Sequence, residues 1–247
     1  MLEFESITNR YYAHFLGIEK INFNNEIKSY FNSKLDTKFI GYSYPIDIIL
    51  FLKENSINIS YGNKAKSIIP KLLNSLNCNM DIDNIKNILE NVFHFKLKHK
   101  TKFVYKNKME IENTAIILTE EHLELFIYFF RENNPNCKDY TWINEYFYKL
   151  VDKHYCHGII VDGILVCATD APDIPFMNTL VQEIGINTLK EHRRKGYAKI
   201  VCNSLIETLI SKNICPIWSI GKENVGSNKL SKSVGFEEYC EVMEICI

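Results

Sequence analysis

The hydrophobic pattern is clearest in the C-terminal half of the chain. Strands are predicted where short apolar runs lie between turn-forming residues, at 114–118, 155–161, 164–170, 179–189, 215–220 and 236–247. Helices are predicted where apolar residues recur every three or four positions, at 119–130, 142–151, 198–213 and 225–234. Asp162 and Gly163 separate two of the strands and are typical of a type I′ hairpin turn.

The order of these elements predicts how the strands pair. A helix lies between the strands at 179–189 and 215–220, so these two strands run parallel if they are neighbours in one sheet. The hairpin and the closing strand add antiparallel pairs. The C-terminal half is therefore expected to be an α/β domain with a mixed sheet.

The N-terminal half has helical patterns at 46–54, 64–76 and 83–93. The stretch 95–108 then alternates apolar and basic residues, which fits a basic patch for nucleic acid or phospholipid, or a β-strand with lysines on its solvent face. The second interpretation is favoured because the chain is nearly neutral. The polar stretch 106–113 predicts a linker between a domain at 1–110 and a domain at 111–247.

Composition narrows the class of protein. With 247 residues, 46% hydrophobic residues and a net charge of −1, the chain gives no general reason to expect nucleic acid or acidic surfaces as partners. The N-terminal sequence lacks a signal-peptide pattern, and the most apolar stretch, PIDIILFL, is too short to span a membrane. The eight cysteines show no metal-binding spacing, so we expect reduced thiols, a cytoplasmic protein and no metal.

A basic turn at EHRRKGYAKI, residues 191–200, is the main chemical signal. Arg193, Arg194 and Lys195 lie at the predicted start of a helix, where positive charge is unfavourable. Either the turn is simply solvated, or an anion binds there. The stretch lacks both the GxxxxGK[ST] and the GxGxxG pattern. A tight turn at Gly196 that leads into a helix N-terminus nevertheless favours a bound pyrophosphate.

These residues resemble those of a known family. Arg193-Arg194-Lys195-Gly196-Tyr197-Ala198 fits the Q/R-x-x-G-x-G/A acetyl-coenzyme A signature of the GNAT superfamily of N-acetyltransferases. The pattern Asn224-x-x-Ser227-x-x-Leu230-x4-Gly235-Phe236 is similar to the second hallmark of that family, and EIGINTLKEHRRKGYA with a later Trp218 is similar to a bacterial subgroup. The resemblance covers roughly residues 111–247.

The resemblance implies an α/β fold, with a C-terminal GNAT-like mixed sheet flanked by helices and a smaller α/β N-terminal domain before it. It implies acetyl-coenzyme A as co-substrate, whose pantetheine arm would enter a gap where the strand at 183–188 splays from its parallel neighbour. The residues implied in cofactor binding are Ile186, Asn187, Thr188, Arg193, Arg194, Lys195, Gly196, Tyr197, Ala198, Asn224 and Ser227.

The same resemblance implies direct attack of a primary amine on the thioester. Glu183 would be the general base, although its carboxylate could instead only satisfy a backbone or basic partner. Many relatives have a tyrosine acid where this chain has Ser231. Either the thiolate leaves without a dedicated acid, or another group such as Tyr239 serves.

The acceptor is expected to be a small-molecule or peptide amine. Asp170 and Asp173 could attract it, and Trp142 lies on the helix that usually borders the acceptor cleft in this family. The region 1–110 is expected to form one wall of that cleft. A non-catalytic acyl-coenzyme A sensor and a nucleic-acid-associated protein using 95–108 are the alternatives. A homodimer is left open; no nucleic acid or membrane partner is expected.

Overall fold

The computed structural model describes residues 3–106 and 114–247, so most of the predicted linker at 106–113 lies outside the described residues. The helices are α1 Phe4–Leu16, α2 Ile69–Ser75, α3 Ile82–Asn87, α4 Leu123–Asn133, α5 Ile143–Asp152, α6 Tyr197–Ser211 and α7 Val225–Ser233. The strands are β1 Ile27–Phe31, β2 Ile48–Lys53, β3 Ser56–Tyr61, β4 Lys96–Tyr105, β5 Ile116–Ile117, β6 His157–Val161, β7 Ile164–Asp170, β8 Val181–Glu183, β9 Gly185–Thr188, β10 Cys215–Gly221 and β11 Phe236–Cys246.

The strands of the described residues form two sheets. The larger sheet has the order β1-β3-β2-β11-β4-β10-β8, and the smaller one has the order β5-β6-β7-β9. β8 and β10 run parallel with α6 in the crossover between them, as the sequence predicts. Helix α1 packs on one face of the larger sheet, and α6 and α7 pack on the opposite face. The fold is therefore the expected mixed α/β arrangement.

A strand from the N-terminal region lies near the centre of the larger sheet. β4 pairs antiparallel with both β10 and β11, which belong to the C-terminal region. The β4 residues Phe103 and Tyr105 are 0% and 1% exposed and contribute to the core under α6. The predicted boundary near residue 110 therefore crosses a single continuous sheet, and the division into two domains stays a prediction.

The central position of β4 corrects the expectation that its lysines face solvent. Lys102 is only 3% exposed, and its ammonium lies 5.5 Å from the centroid of the Tyr12 ring of α1. Lys100 lies 5.0 Å from the ring of Tyr42. The period of two is real, but α1 and the loop that carries Tyr42 cover part of the lysine face.

The helix predicted at 46–54 is wrong, because this segment forms β2. Residues 48–52 are all buried, with Ile49 and Phe51 facing α1 and Leu50 facing α2 and α3. A strand that is covered on both faces shows no alternation, and such a run cannot be told from a buried helix by periodicity. Further along, the predicted helix at 83–93 is α3 followed by a π-helical turn, and Asp81 caps it by accepting from the Asn84 N–H at 2.7 Å.

In the C-terminal half the predicted turn chemistry is confirmed. Asp162 and Gly163 have φ angles of 50° and 77°, as a type I′ turn requires. Asn213, two residues after the end of α6, has a φ angle of 58°. The strand predicted at 179–189 is instead divided at Ile184 between the two sheets. This division creates the candidate site.

Candidate cofactor and catalytic site

Two neighbouring strands separate at Ile184. β8 pairs with β10 from Val181 to Glu183, and the last contact is the Ile184 N–H donating to the Ile217 carbonyl at 3.1 Å. β9 then turns to β7 in the smaller sheet. A gap therefore opens between β9 and the second half of β10, which is the splayed geometry implied by the sequence resemblance.

A cleft of about 560 Å³ adjoins β9, the basic turn and the start of α7. All the residues that the sequence implies for cofactor binding line it except Lys195. The structure adds His192, Lys199, Gly226 and Leu230 to the lining. Lys199 could have been found from the sequence, because a residue three positions after Gly196 lies on the same face of the helix start. We call this space the cofactor cleft.

The basic turn has the backbone shape of an anion cradle. Arg194 and Gly196 have φ angles of 63° and 85°, in the left-handed region. α6 begins at Tyr197, so the N–H groups of its first turn have no carbonyl partner within the helix. A Cβ atom at Gly196 would meet no atom within 4 Å, so the turn has open space beside it. Arg193 anchors the turn by donating from Nε to the Thr188 carbonyl at 3.1 Å.

On the opposite side of the cleft, the second sequence hallmark fixes the start of α7. The Asn224 side chain accepts from the Ser227 N–H at 3.0 Å, which is a helix N-cap. The Ser227 hydroxyl accepts from Trp218 Nε1 at 3.2 Å. These bonds explain why the hallmark needs both side chains even before any ligand binds.

Neither hydroxyl considered as an acid is placed for that role. Ser231 is fully buried and donates to the Asn228 carbonyl at 2.9 Å. Tyr239 packs against Tyr12 and Phe23, and it borders a different cleft beside Lys53. Tyr239 lines neither the cofactor cleft nor the Glu183 cavity, so the structure gives no support to it as a replacement for the missing tyrosine.

Glu183 borders a second, smaller cavity of about 180 Å³, which we call the Glu183 cavity. Its other walls come from the loop 41–44, from Asp173 and its flanking prolines, from Lys100 and from Ser219. The loop 41–44 fits closely, because a Cβ atom at Gly41 would come within 1.9 Å of the Asp173 carbonyl oxygen. Glu183 lies three residues before Ile186, so the two clefts adjoin the same splayed strand.

The charges around this cavity are unevenly paired. Lys100 and Lys102 approach Glu244 at 2.7 and 3.8 Å, and Tyr44 donates its hydroxyl to the same carboxylate. Among the described residues, no hydrogen bond or ion pair to the Glu183 carboxylate is formed. Burial raises the pKa of Glu183 above its usual value, although Lys102 and Lys100 act in the opposite direction. A partly buried carboxylate without a hydrogen-bond or ion-pair partner can accept a proton.

The residues predicted to bind the acceptor are only partly brought together. Asp173 lines the Glu183 cavity, and its carboxylate is 2.5 Å from the Lys149 ammonium. Asp170 instead accepts from the Tyr146 hydroxyl, and burial raises its pKa. Trp142 is 40% exposed and packs edge-to-face on Tyr146 at 5.6 Å, outside the cavity lining. The roles of all three residues stay predictions.

The sequence predicts that the N-terminal region contributes a wall of the acceptor cleft, but it does not identify the residues that form this cavity. Tyr44 and Lys100 carried no motif, and Ser219 lies in a short buried strand. Within residues 3–106 and 114–247, no group of three or more His, Cys, Asp or Glu side chains could hold a metal ion. No helix in that same part of the chain is both long and apolar enough to cross a membrane.

Comparison with known proteins agrees with this geometry. Residues 157–242 match the family model for GNAT acetyltransferase. An acetyltransferase of the GNAT family from Colwellia psychrerythraea is 20% identical with a TM-score of 0.52, over 61% of this chain and 56% of that protein. A GCN5-related N-acetyltransferase from Sphaerobacter thermophilus is 10% identical with a TM-score of 0.50, over 66% of this chain and 56% of that protein.

The chain thus spans little more than half the length of each of these two proteins, which share its fold. Among curated proteins, no sequence matches significantly. The family match covers the hairpin, the splayed strand, the basic turn and most of the closing strand. Residues 157–242 are therefore the part of the chain that is similar to the GNAT acetyltransferase family.

Proposed function

We propose that this protein transfers an acetyl group from acetyl-coenzyme A to a primary amine by direct attack on the thioester. The observation that carries the proposal is the gap between β9 and β10. A basic, amide-rich cleft adjoins the splayed strand on one side, and the uncommitted carboxylate of Glu183 adjoins it on the other.

The residues of the cofactor cleft fit a pyrophosphate and an extended pantetheine arm. The amides at the start of α6 and the guanidinium groups of Arg193 and Arg194 suit the pyrophosphate. The Ile184 N–H points to β10 and the Leu189 N–H points to β7, where it donates to Val166 at 2.9 Å. Because N–H groups alternate along a strand, those of Ile186 and Thr188 point into the gap.

Acetyl-coenzyme A supplies the activated acetyl group as a thioester. The Ile186 N–H is in position to donate to the carbonyl oxygen as negative charge develops on it. Glu183 accepts the proton that the attacking amine must lose, directly or through water. Holding the amine against the thioester supplies most of the remaining rate enhancement through proximity.

The acceptor class follows from the dimensions of the Glu183 cavity. About 180 Å³ suits a small amine or the end of a longer peptide side chain. The loop 41–44 supplies one wall, which supports a role of the N-terminal region in acceptor binding. Asp173 adds negative charge at the rim and favours a cationic amine before its deprotonation.

One observation favours a second candidate, a non-catalytic sensor that binds acyl-coenzyme A. Ser231 replaces the tyrosine acid of many relatives and is buried with its hydroxyl committed to Asn228. A protein without this acid could bind the thioester and leave it intact.

A panel of amines incubated with acetyl-coenzyme A, with release of free thiol followed over time, tests the proposal. We expect thiol release that depends on the amine and saturates with it. Tight binding of acetyl-coenzyme A without turnover on any amine would support the sensor. Absence of acetyl-coenzyme A binding would overturn both.

A further inference from the structure

Four lysines of β4, Lys96, Lys98, Lys100 and Lys102, occupy alternate positions and share one face of the sheet. Their exposure falls along the strand: Lys98 is exposed, the Lys100 side chain is 21% exposed and the Lys102 side chain is 4% exposed. Burying an ammonium group is costly unless it has charged or hydrogen-bonding partners. The position of Lys102 therefore calls for an explanation that a solvent-facing lysine would not need.

Lys102 is held directly beside the Glu183 cavity. Its ammonium donates to the Ser219 hydroxyl at 2.8 Å, and Lys102 and Ser219 are paired across β4 and β10. Glu183 is paired with Ile217 on the other side of β10, two residues from Ser219 and so on the same face. Ser219 and Glu183 both line the cavity, which joins the lysine to it through one hydroxyl.

The partners of Lys102 do not fully account for its burial. Glu244 lies 3.8 Å away, beyond hydrogen-bond distance, and has Lys100 at 2.7 Å and the Tyr44 hydroxyl as closer partners. Burial lowers the pKa of Lys102, whereas the negative charges of Glu244 and Glu183 favour its ammonium form. The lysine thus lies within the electrostatic influence of two carboxylates, and of these only Glu244 has close partners.

Other titratable groups also surround Glu183, and they come from each neighbouring element. They are Lys100 and Lys102 on β4, Glu244 on β11, Asp170 on β7, Asp173 in the loop after β7, Tyr11 and Tyr12 on α1, and Tyr42 and Tyr44 on the covering loop. Burial raises the pKa of each of these tyrosines, which keeps them neutral. Lys102 and Lys100 are the cations of this set.

We propose that Lys102 is a positioning residue for acetyl transfer, whose buried ammonium keeps the Glu183 carboxylate ionised and held towards the cavity. The inference rests on the proposed function, in which Glu183 is the general base. Through this charge the N-terminal region sets the pH range in which the C-terminal acetyltransferase domain works.

A graded series of variants in the full chain tests the proposal. Lys102→Met, Lys100→Met and Lys98→Met remove the same charge from the same face of the same strand. The Glu183 carboxyl is titrated by NMR of protein labelled with carbon-13 at the glutamate carboxyls, and Glu183→Gln assigns the signal. We expect the titration midpoint to rise most in Lys102→Met, less in Lys100→Met and not in Lys98→Met, because Lys102 and Lys100 are the two lysines that favour the charged form of Glu183.

The rate of thiol release against pH gives the second readout. A rising Glu183 pKa moves the acid limb of kcat/KM to higher pH, and each pH unit of movement lowers the rate at the acid end about tenfold. Lys102→Arg keeps the charge and should restore the wild-type profile. Thermal unfolding of each variant shows whether it is folded. If Lys102→Met does not fold, the Glu183 midpoints of Lys100→Met and Lys98→Met still show whether a nearby lysine on this strand affects Glu183 more than a distant one.

The outcomes separate this inference from the proposed function. An unchanged Glu183 midpoint in Lys102→Met, or equal shifts in all three variants, would overturn the role of Lys102. A midpoint that moves while the acid limb of the rate does not would overturn Glu183 as the base and, with it, the catalytic role of Lys102. If the wild type shows no turnover, Lys102 has no catalytic role. The NMR titration would still show whether Lys102 affects the pKa of Glu183.

Discussion

The cofactor cleft and the Glu183 cavity adjoin the same splayed strand but are built in different ways. The cofactor cleft comes from one continuous stretch of chain, 186–230, and offers mainly backbone amides and exposed cations. The Glu183 cavity joins segments near residues 41–44, 100, 173, 183 and 219, and its chemistry depends on side chains. Backbone recognition needs only a local turn, whereas side-chain chemistry needs the whole fold.

The electrostatic environments of the two sites differ as well. Arg193, Arg194 and Lys195 are exposed, so salt screens their attraction for an anion. Lys102 and Glu244 are 3% and 2% exposed, where screening is weak and each charge strongly affects its neighbours. The predictions below test these differences, from the largest expected effect to the smallest.

Removing residues 1–107 should abolish the fold of the remaining chain. The deletion takes away β2 and β4, which leaves β11 without either partner and β10 paired only with β8, and it removes buried Phe103 and Tyr105. Loss of one buried aromatic side chain costs about 3–5 kcal/mol, against a total stability of about 5–15 kcal/mol for a typical domain. Circular dichroism should show no cooperative thermal transition.

Co-expression of residues 1–107 with residues 108–247 is the matched control and should recover folded protein. A fragment 108–247 that folds alone and binds acetyl-coenzyme A would show that β4 is dispensable. The C-terminal region would then be independent of the N-terminal region, contrary to the shared sheet.

Glu183→Gln should lower kcat by about 10²–10⁴-fold, the usual contribution of a general base. Acetyl-coenzyme A affinity should change little, because Glu183 does not line the cofactor cleft. Asp173→Asn serves as the control, since this carboxylate lines the same cavity but is about half exposed and paired with Lys149. Equal effects of the two substitutions on kcat would argue against Glu183 as the base.

Gly196→Val should weaken acetyl-coenzyme A binding more than about tenfold, or 1.4 kcal/mol. Valine at a φ angle of 85° is strained, and its branched side chain would enter the space beside the turn. Gly163→Val is a matched control, because Gly163 also has a positive φ and open space beside it but lies in the distant hairpin turn.

Both glycine variants should lose similar stability, and calorimetry should show weaker binding only for Gly196→Val. Equal affinity in the two variants would contradict the assignment of the cofactor cleft. Glu183 should keep its titration midpoint in both, since neither glycine lines its cavity.

Raising the salt concentration from about 0.1 M to about 1 M should weaken acetyl-coenzyme A binding several-fold, because the Debye length falls from about 10 Å to about 3 Å. Arg194→Gln should bind more weakly at low salt and show a smaller salt dependence. The Glu183 midpoint should move less than the cofactor affinity over the same range. Affinity independent of salt would show that the exposed cations do not contact the pyrophosphate.

Local patterns were sufficient for the C-terminal region. The hairpin at Asp162-Gly163, the helix from 197 and the turn around Gly196 depend on residues next to each other in sequence. The same patterns failed at β2, where burial on both faces removes the alternation that identifies a strand. They also gave the wrong solvent exposure for Lys102. Alternation with a period of two shows which side chains share a face of the sheet, but not whether another element covers that face.

The sequence by itself determined the mixed α/β class and the basic turn, since these depend on turn chemistry and on spacing within short segments. The splayed strand was implied only by the family resemblance, because the local pattern predicts a single strand at 179–189. Only the tertiary structure decided that β4 enters the centre of the sheet, that the loop 41–44 closes over Glu183 and that Lys102 is buried beside it. The reason is physical: strand pairing between residues more than a hundred positions apart leaves no periodic signal, yet it sets the burial and charge around a carboxylate.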